Sequence, residues 1–307
     1  MIANAIKDKF INTPDPGLFT RVDSSHPLDL YAGIDDNGRY AFKLRDTFRP
    51  YAKIKQVSQI EVGQFTNDGF NTLMFSLLEP ALLDLFVVFC DDIISSTIGI
   101  SESSDGYKII LDRFYLWRKM FSIPKTPLAE PEIMGLIGEI SFFKDFLFKR
   151  YGKTGALEGW SGQEMTHKDF SYKDGWYEIK TIHDSKYSVG ISSLEQLYSK
   201  VDGELVIYKL EKMSPAYKGI SINTLAKNVL DSLESDMDKE LFLSRLKNSG
   251  FSFDSSYDEY VYEITSVKRY TVNIDFPKLT RENIIPAVVK INYELNIALL
   301  APFEINE

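Results

Sequence analysis

Asp169-Phe170-Ser171-Tyr172-Lys173-Asp174-Gly175-Trp176-Tyr177-Glu178-Ile179-Lys180 is the stretch on which the reading of this chain turns. An Asp-Gly pair lies between two runs that alternate apolar and polar residues, the local signal for a two-residue β-hairpin. With Asp174 and Gly175 as the turn, Lys173 faces Trp176, Ser171 faces Glu178 and Asp169 faces Lys180. Opposed residues share a face and side chains alternate with period two. Asp169, Glu178 and Lys180 are therefore expected on one face, and Phe170, Tyr172, Tyr177, Ile179 and Thr181 on the other. Two carboxylates close together repel, and such a cluster is tolerated when it is solvated or when a cation sits between them. A divalent metal would make it a site.

The rest of the chain bounds that reading. Its 307 residues suffice for one large domain or two modest ones. The 13% aromatic content favours sheet-rich packing. A single cysteine, Cys90, leaves no internal disulfide and no multi-cysteine zinc site, and its apolar surroundings make it a space-filling residue. The N-terminus lacks the apolar core of a signal peptide, and the longest apolar stretch, 81–90, is interrupted by Asp84 and too short to span a bilayer. The expectation is a cytoplasmic protein with no membrane partner. A net charge of −9 argues against non-specific, high-capacity nucleic-acid coating, yet leaves room for a nuclease, whose metal-site carboxylates count toward that charge.

Outward from the hairpin, residues 130–151 predict a long helix, with Pro131 in its first turn and Gly152 as its stop. Glu139 lies on or beside that helix's buried stripe, flanked by Gly135 and Gly138, which would let the backbone approach a sheet. A glycine inside a helix costs about 1 kcal/mol relative to alanine, so two beside a carboxylate suggest a packing or functional reason. After the hairpin, Ser192 or Ser193 could cap a helix running through Glu195, Leu197 and Lys200, and 205–210 reads as a strand. Residues 221–249 predict two helices broken near Ser235, and 261–274 and 287–300 two long strands. Toward the N-terminus, residues 20–75 read mostly as strands (28–34, 39–44, 54–62 and 71–78), followed by helices from Pro80 and over 105–121. Two prolines in 123–128 mark a boundary. The expected organisation is a β-rich module with following helices at 1–125, a core at 126–215, and C-terminal helices and strands at 216–307.

The order helix, hairpin strands, helix, strand resembles the core of the PD-(D/E)XK nuclease superfamily, which includes many restriction endonucleases. Glu139, Asp169 and Glu178-Ile179-Lys180 carry the resemblance, with Ser192, Glu195 and Gln196 on the following helix. The strings Gly135-Leu-Ile-Gly-Glu139, Trp160-Ser-Gly, Trp176-x-Glu-Ile-Lys-Thr181 and Ile191-Ser-Ser-x-x-Gln196-Leu are similar to those of uncharacterised bacterial PD-(D/E)XK-motif proteins, a group tied to restriction and phage defence. Two departures stand out. Lys168 occupies the place of the leading proline, and the residue four after Gln196 is Lys200, where an exonuclease branch carries tyrosine.

The resemblance implies an α/β (α+β) fold: a restriction-endonuclease-like core of a mixed sheet flanked by helices, with the N-terminal β-rich module and C-terminal strands around it. It implies a metal-dependent endonuclease hydrolysing DNA phosphodiester bonds. Asp169, Glu178 and the carbonyl of Ile179 would hold Mg²⁺, with Mn²⁺ as a substitute. Lys180 would orient the attacking water and steady developing negative charge. Glu139 would hold a metal-bound water or help bind a second ion. Gln196, Ser192 and Lys168 would touch substrate or anchor its surroundings. DNA is the expected partner, together with other subunits of a restriction or defence system, and a homodimer fits enzymes that cut both strands.

Competing readings stand beside these. A D…ExK pattern arises by chance, and a charged hairpin face is commonly just solvated. A related fold can also lose catalysis and serve as a DNA-binding or scaffold subunit. His26, His167 and His183 are not at metal-ligand spacing. Lys149, Arg150, Lys153, Lys168, Lys173 and Lys186 could follow a phosphate backbone or belong to a mixed, solvated surface.

Overall fold

A computed structural model describes residues 2–50, 54, 59–121, 127–160 and 168–305. The proline boundary at 123–126, part of the expected strand 54–62, the Ser161-Gly162 pair and His167 lie outside them. The chain is an α/β (α+β) protein that divides into two units, one of Met1–Pro127 with Ser252–Asp254, the other of Leu128–Phe251 with Ser255–Glu307.

The first unit opens with helix α1 (Ile2–Ile11), which local sequence signals leave unassigned, and whose Lys7 pairs with Asp84. Strands β1 (Phe19–Arg21), β2 (Leu30–Ile34), β3 (Tyr40–Asp46), β4 (Ile60–Asn67) and β5 (Phe70–Leu77) form an antiparallel sheet in the order β1-β2-β3-β5-β4. Helices α2 (Leu83–Ser96) and α3 (Ser103–Trp117) follow. Phe75 of the sheet packs edge-on against Phe89 of α2, which meets Trp117 and Phe121 in turn. Cys90 is buried, as its neighbours predict. Phe253 packs on Trp117, which is why a fragment so late in the chain belongs here. The hairpin β4–β5 closes on Asp68 (φ 53°) and Gly69 (φ 80°), two left-handed residues in succession as a type I′ turn requires.

The second unit begins with α4 (Glu130–Phe142), whose first turn carries Pro131 and whose Glu132 carboxylate accepts the Ala129 N–H at 2.8 Å. A π turn at Phe143–Leu147 leads into α5 (Phe148–Gly159), and Gly152 breaks the helical path there at φ 70°. Strands β6 (Phe170–Tyr172), β7 (Gly175–His183), β8 (Ser188–Ile191) and β9 (Gly203–Met213) come next, then α6 (Ile222–Ser232) and α7 (Asp236–Asn248), split by the Ser235 cap as the sequence predicts. β10 (Val261–Val272) and β11 (Tyr293–Asn296) complete it. The main sheet is mixed, in the order β10-β9-β7-β6, with β7 and β9 parallel and the other pairs antiparallel. α4 covers one face, where Phe142 meets Tyr177. On the other face Trp176, Leu205 and Ile207 pack with Val189, Ile191 and Leu197. Among the described residues no helix is long and apolar enough to cross a membrane.

Three expectations are corrected. The hairpin turns on Lys173-Asp174, with Tyr172 opposite Gly175 and Phe170 opposite Tyr177, and Gly175 keeps a negative φ inside the strand. Side-chain contacts fix this register: Tyr172 stacks on Tyr151 at 3.8 Å, and Asp174 is held by the Tyr151 hydroxyl and Arg150. The helix expected after Ser192 is a single 3₁₀ turn, Leu194–Gln196. Its carbonyls are taken elsewhere: Lys168 donates to those of Glu195 and Gln196, and Trp176 Nε1 to that of Val201 at 3.0 Å. Finally, 287–300 is no long strand. β11 pairs with only the four residues of β8, and Asn296 then caps a 3₁₀ run, Ile297–Phe303.

Candidate active site

The corrected register preserves the faces. Moving the turn back by one residue on each side leaves Glu178 and Lys180 on one side of β7, and Asp169, one residue before β6, bonds across to that strand. Asp169 lies just before β6, and its Oδ2 accepts the backbone N–H of Ile179 at 2.7 Å. That bond clamps the start of β6 onto β7 beyond the last paired residues. Glu178 is 2% exposed and its Oε1 accepts from Lys180 Nζ at 2.9 Å, while its Oε2 is buried with no hydrogen-bond partner among the described residues. Lys180 keeps partial access to solvent.

Glu139 arrives from α4, and the reason is steric. A Cβ on Gly138 would sit 2.1 Å from Thr181 Oγ1, so only glycine lets α4 come this close to β7. Gly135, expected from the sequence to do the same, faces open space. The Glu139 carboxylate is held by Trp160 Nε1 at 3.2 Å. In the sequence Trp160 stands out only as part of a motif. Its function as the donor to Glu139 becomes visible only when the chain folds back after α5.

The three carboxylates are electrostatically linked. Burial pushes Glu178 up to about 8, the charge of Asp169 adds to the rise, and Lys180 opposes it. Burial and then Asp169 raise Glu139 well above the usual carboxylate range, against the Trp160 hydrogen bond. Asp169 is raised by burial against the Ile179 N–H and the charges of Lys180 and Lys168. A cluster in which each member resists ionising beside the others favours a proton or a cation among them. Among the described residues no three His, Cys, Asp or Glu side chains are gathered closely enough to hold an ion by themselves. Mg²⁺ takes one or two carboxylates and fills its shell with backbone and water oxygens, and Asp169, Glu178 and the Ile179 carbonyl are the groups that could supply such a set. Glu178 Oε2, without a partner among the described residues, is an oxygen open to such a contact.

Of the other predicted residues, Lys168 borders the cluster, its charge acting on Asp169 and Glu178. Lys168 is buried, donates to the carbonyls of Glu195 and Gln196, and lies 4.0 Å above the Trp176 ring. Burial lowers its pKa to about 8. It thus braces the floor behind the ribbon. Gln196 turns its side-chain oxygen to the Ser192 N–H at 2.8 Å, closing the 3₁₀ turn. Of the expected basic track, Arg150 is tied to Asp174, and Lys153 to the Ser232 carbonyl and Glu234, while Lys149, Lys173 and Lys186 stay exposed. His183 is exposed, and His26 is buried in the first unit with ring nitrogens near the Leu28 and Ile94 carbonyls.

Residues 11–298 match a sequence family described as "Putative PD-(D/E)XK family member, (DUF4420)". No curated protein and no solved structure matches the chain.

Proposed function

The chain belongs to this PD-(D/E)XK family, and from that premise we propose that it is a metal-dependent endonuclease hydrolysing DNA phosphodiester bonds in bacterial restriction or phage defence. One observation carries the reading: Asp169 accepts the N–H of Ile179, the residue between Glu178 and Lys180, and Lys180 is bonded to Glu178. Asp169, Glu178 and the Ile179 carbonyl would hold Mg²⁺ or Mn²⁺, which would neutralise phosphate charge and lower the pKa of a bound water. Lys180, released from Glu178, orients that water and steadies charge on the phosphate. Glu139, aimed by Trp160, accepts a hydrogen bond from a water at the cluster's edge. Lys168, Gln196 and Ser192 keep the floor of the site in place. The partners are DNA and other subunits of a defence system, in the cytoplasm, with cutting of both strands by a homodimer.

The test is cleavage of plasmid and linear DNA, and of matched RNA, with Mg²⁺ or Mn²⁺. Glu178→Ala and Lys180→Ala should each abolish metal-dependent cutting while circular dichroism stays native. Wild-type protein that cuts nothing, alone or with the products of neighbouring genes, overturns the reading.

A second reading, a non-catalytic nuclease-fold subunit that binds DNA or assembles a defence complex, draws on the net charge of −9 and on the engagement of Glu178 by Lys180. Calorimetric titration separates the two, because a scaffold has no need of Mg²⁺ at Asp169 and Glu178.

A further inference from the structure

The sheet of the first unit has one face against its own helices. Leu73 and Phe75 point there, and Phe75 meets Phe89 and Phe114. The opposite face follows from the register. Arg21 opposes Tyr31, Tyr31 opposes Lys43, Lys43 opposes Met74, and Met74 opposes Gly63, a row crossing all five strands. One step along, Arg45 opposes Thr72, which opposes Phe65. This face combines rings and cations. Lys43 Nζ lies 3.5 Å from the centroid of Phe19 and 5.8 Å from that of Tyr31, and the Arg45 guanidinium lies 4.7 Å from the centroid of Phe70.

Three features distinguish it from an ordinary solvated sheet face. Phe65 and Phe70, two large rings near the turn of the β4–β5 hairpin, are 47% and 40% exposed. A Cβ on Gly63 would meet nothing, so the end of the transverse row is open. Charge is also only loosely compensated at its centre. Among the described residues neither Lys43 nor Arg45 is in an ion pair, though Asp36 acts on Lys43 from a distance, whereas Arg21 pairs with Asp29 and Arg39 with Asp35 and Glu61. In a chain of net charge −9, two cations held against rings with no carboxylate in direct contact among the described residues form a local exception.

We propose that this outer sheet face, centred on Lys43, Arg45 and Phe65, binds single-stranded nucleic acid. Phosphates would take Lys43 and Arg45, and an unstacked base would lie on Phe65, the arrangement that gives sheet surfaces affinity for single strands with little sequence preference. A duplex offers its phosphates but not its base faces, so the rings discriminate against it. The site belongs to the first unit alone and stands whether or not the carboxylate cluster cuts DNA.

Fluorescence anisotropy tests it in EDTA, with labelled oligo-dT and oligo-U of about 20 nucleotides and a duplex of equal length. Wild-type protein should bind one or both single strands more tightly than the duplex. The double variant Lys43→Met/Arg45→Gln should weaken binding about tenfold or more and reduce the salt slope by about 0.7 for each phosphate no longer neutralised. Phe65→Ala, at an exposed position, should weaken it at least about fivefold with the salt slope unchanged. Native-like variants that bind as wild type does, a preference for duplex, or no binding by the wild type overturns the proposal. Metal is absent and no cleavage is read, so failure here is distinct from failure of the nuclease reading.

Discussion

The two larger sheets of this protein each place charge on one face of a strand, and the two faces treat water differently. On β3, Lys43 and Arg45 keep partial exposure and rest against rings. On β7, Glu178 is 2% exposed and depends on Lys180, with its second oxygen unpaired among the described residues. The same period-two placement thus gives cations available to an outside ligand in one unit and carboxylates that resist ionisation in the other. Burial is the variable: it raises Glu178 to about 8 and lowers Lys43 only as far as partial desolvation and the nearby Arg45 charge push it. A charged face reads as a site when the fold removes water without supplying a full set of partners.

The strongest way to break this contrast is catalytic. Glu178→Ala should reduce metal-dependent cleavage by about a thousandfold or more, whereas Lys43→Met should leave the turnover number on a short duplex unchanged. Equal losses would dissolve the distinction between the two faces.

Next comes proton linkage. Glu178 holds its proton to about pH 8 in the folded state and releases it near 4.5 when unfolded. The folded state binds the extra proton between these values, so stability falls as pH rises from about 4.5 to 8 and levels off above, a change on the order of a few kcal/mol. Glu139 and Asp169 are raised too and act in the same direction. Urea midpoints across this range should show the decline, and Glu178→Gln should flatten it. Magnesium affinity should rise up to about tenfold per pH unit below that pKa, with proton release visible by calorimetry in buffers of differing ionisation enthalpy.

Packing gives a smaller effect. Gly138→Ala drives a methyl into Thr181 Oγ1 and should destabilise by about 1–3 kcal/mol. Adding Thr181→Ala should recover part of that loss in thermal unfolding. The smallest effect compares two Asp-Gly pairs. Gly69→Ala, at φ 80°, should cost about 1 kcal/mol, while Gly175→Ala, whose Cβ would meet only ordinary contact with the Asp202 carbonyl, should cost less than half of that.

That last pair shows what local signals are worth. Asp174-Gly175 is flanked by alternating residues and reads as a turn, yet Tyr151 and Arg150 hold Asp174 so that the turn closes one residue earlier. Asp68-Gly69 has no such outside claim and adopts the left-handed pair its sequence favours. The paired residues kept their faces because shifting both strands by one keeps parity. The helix expected from Ser192 did not survive. Its carbonyls are claimed by Lys168 and Trp176, residues 25 to 28 positions before the carbonyls they take. The four-residue length of β11 is likewise set by β8, a partner the local pattern cannot name.

Alternation and helical periodicity by themselves determined which side chains share a side: Asp169, Glu178 and Lys180 together, and Glu139 on the helix before them. Those are properties of a polymer with fixed dihedral preferences, and they need no neighbours. Only tertiary structure decided that Gly138 rather than Gly135 admits the helix to the sheet, that Trp160 holds Glu139, and that Glu178 is closed off from water with one oxygen unsatisfied among the described residues. Desolvation depends on every atom packed around a group, and that sum exists only once distant parts of the chain have come together.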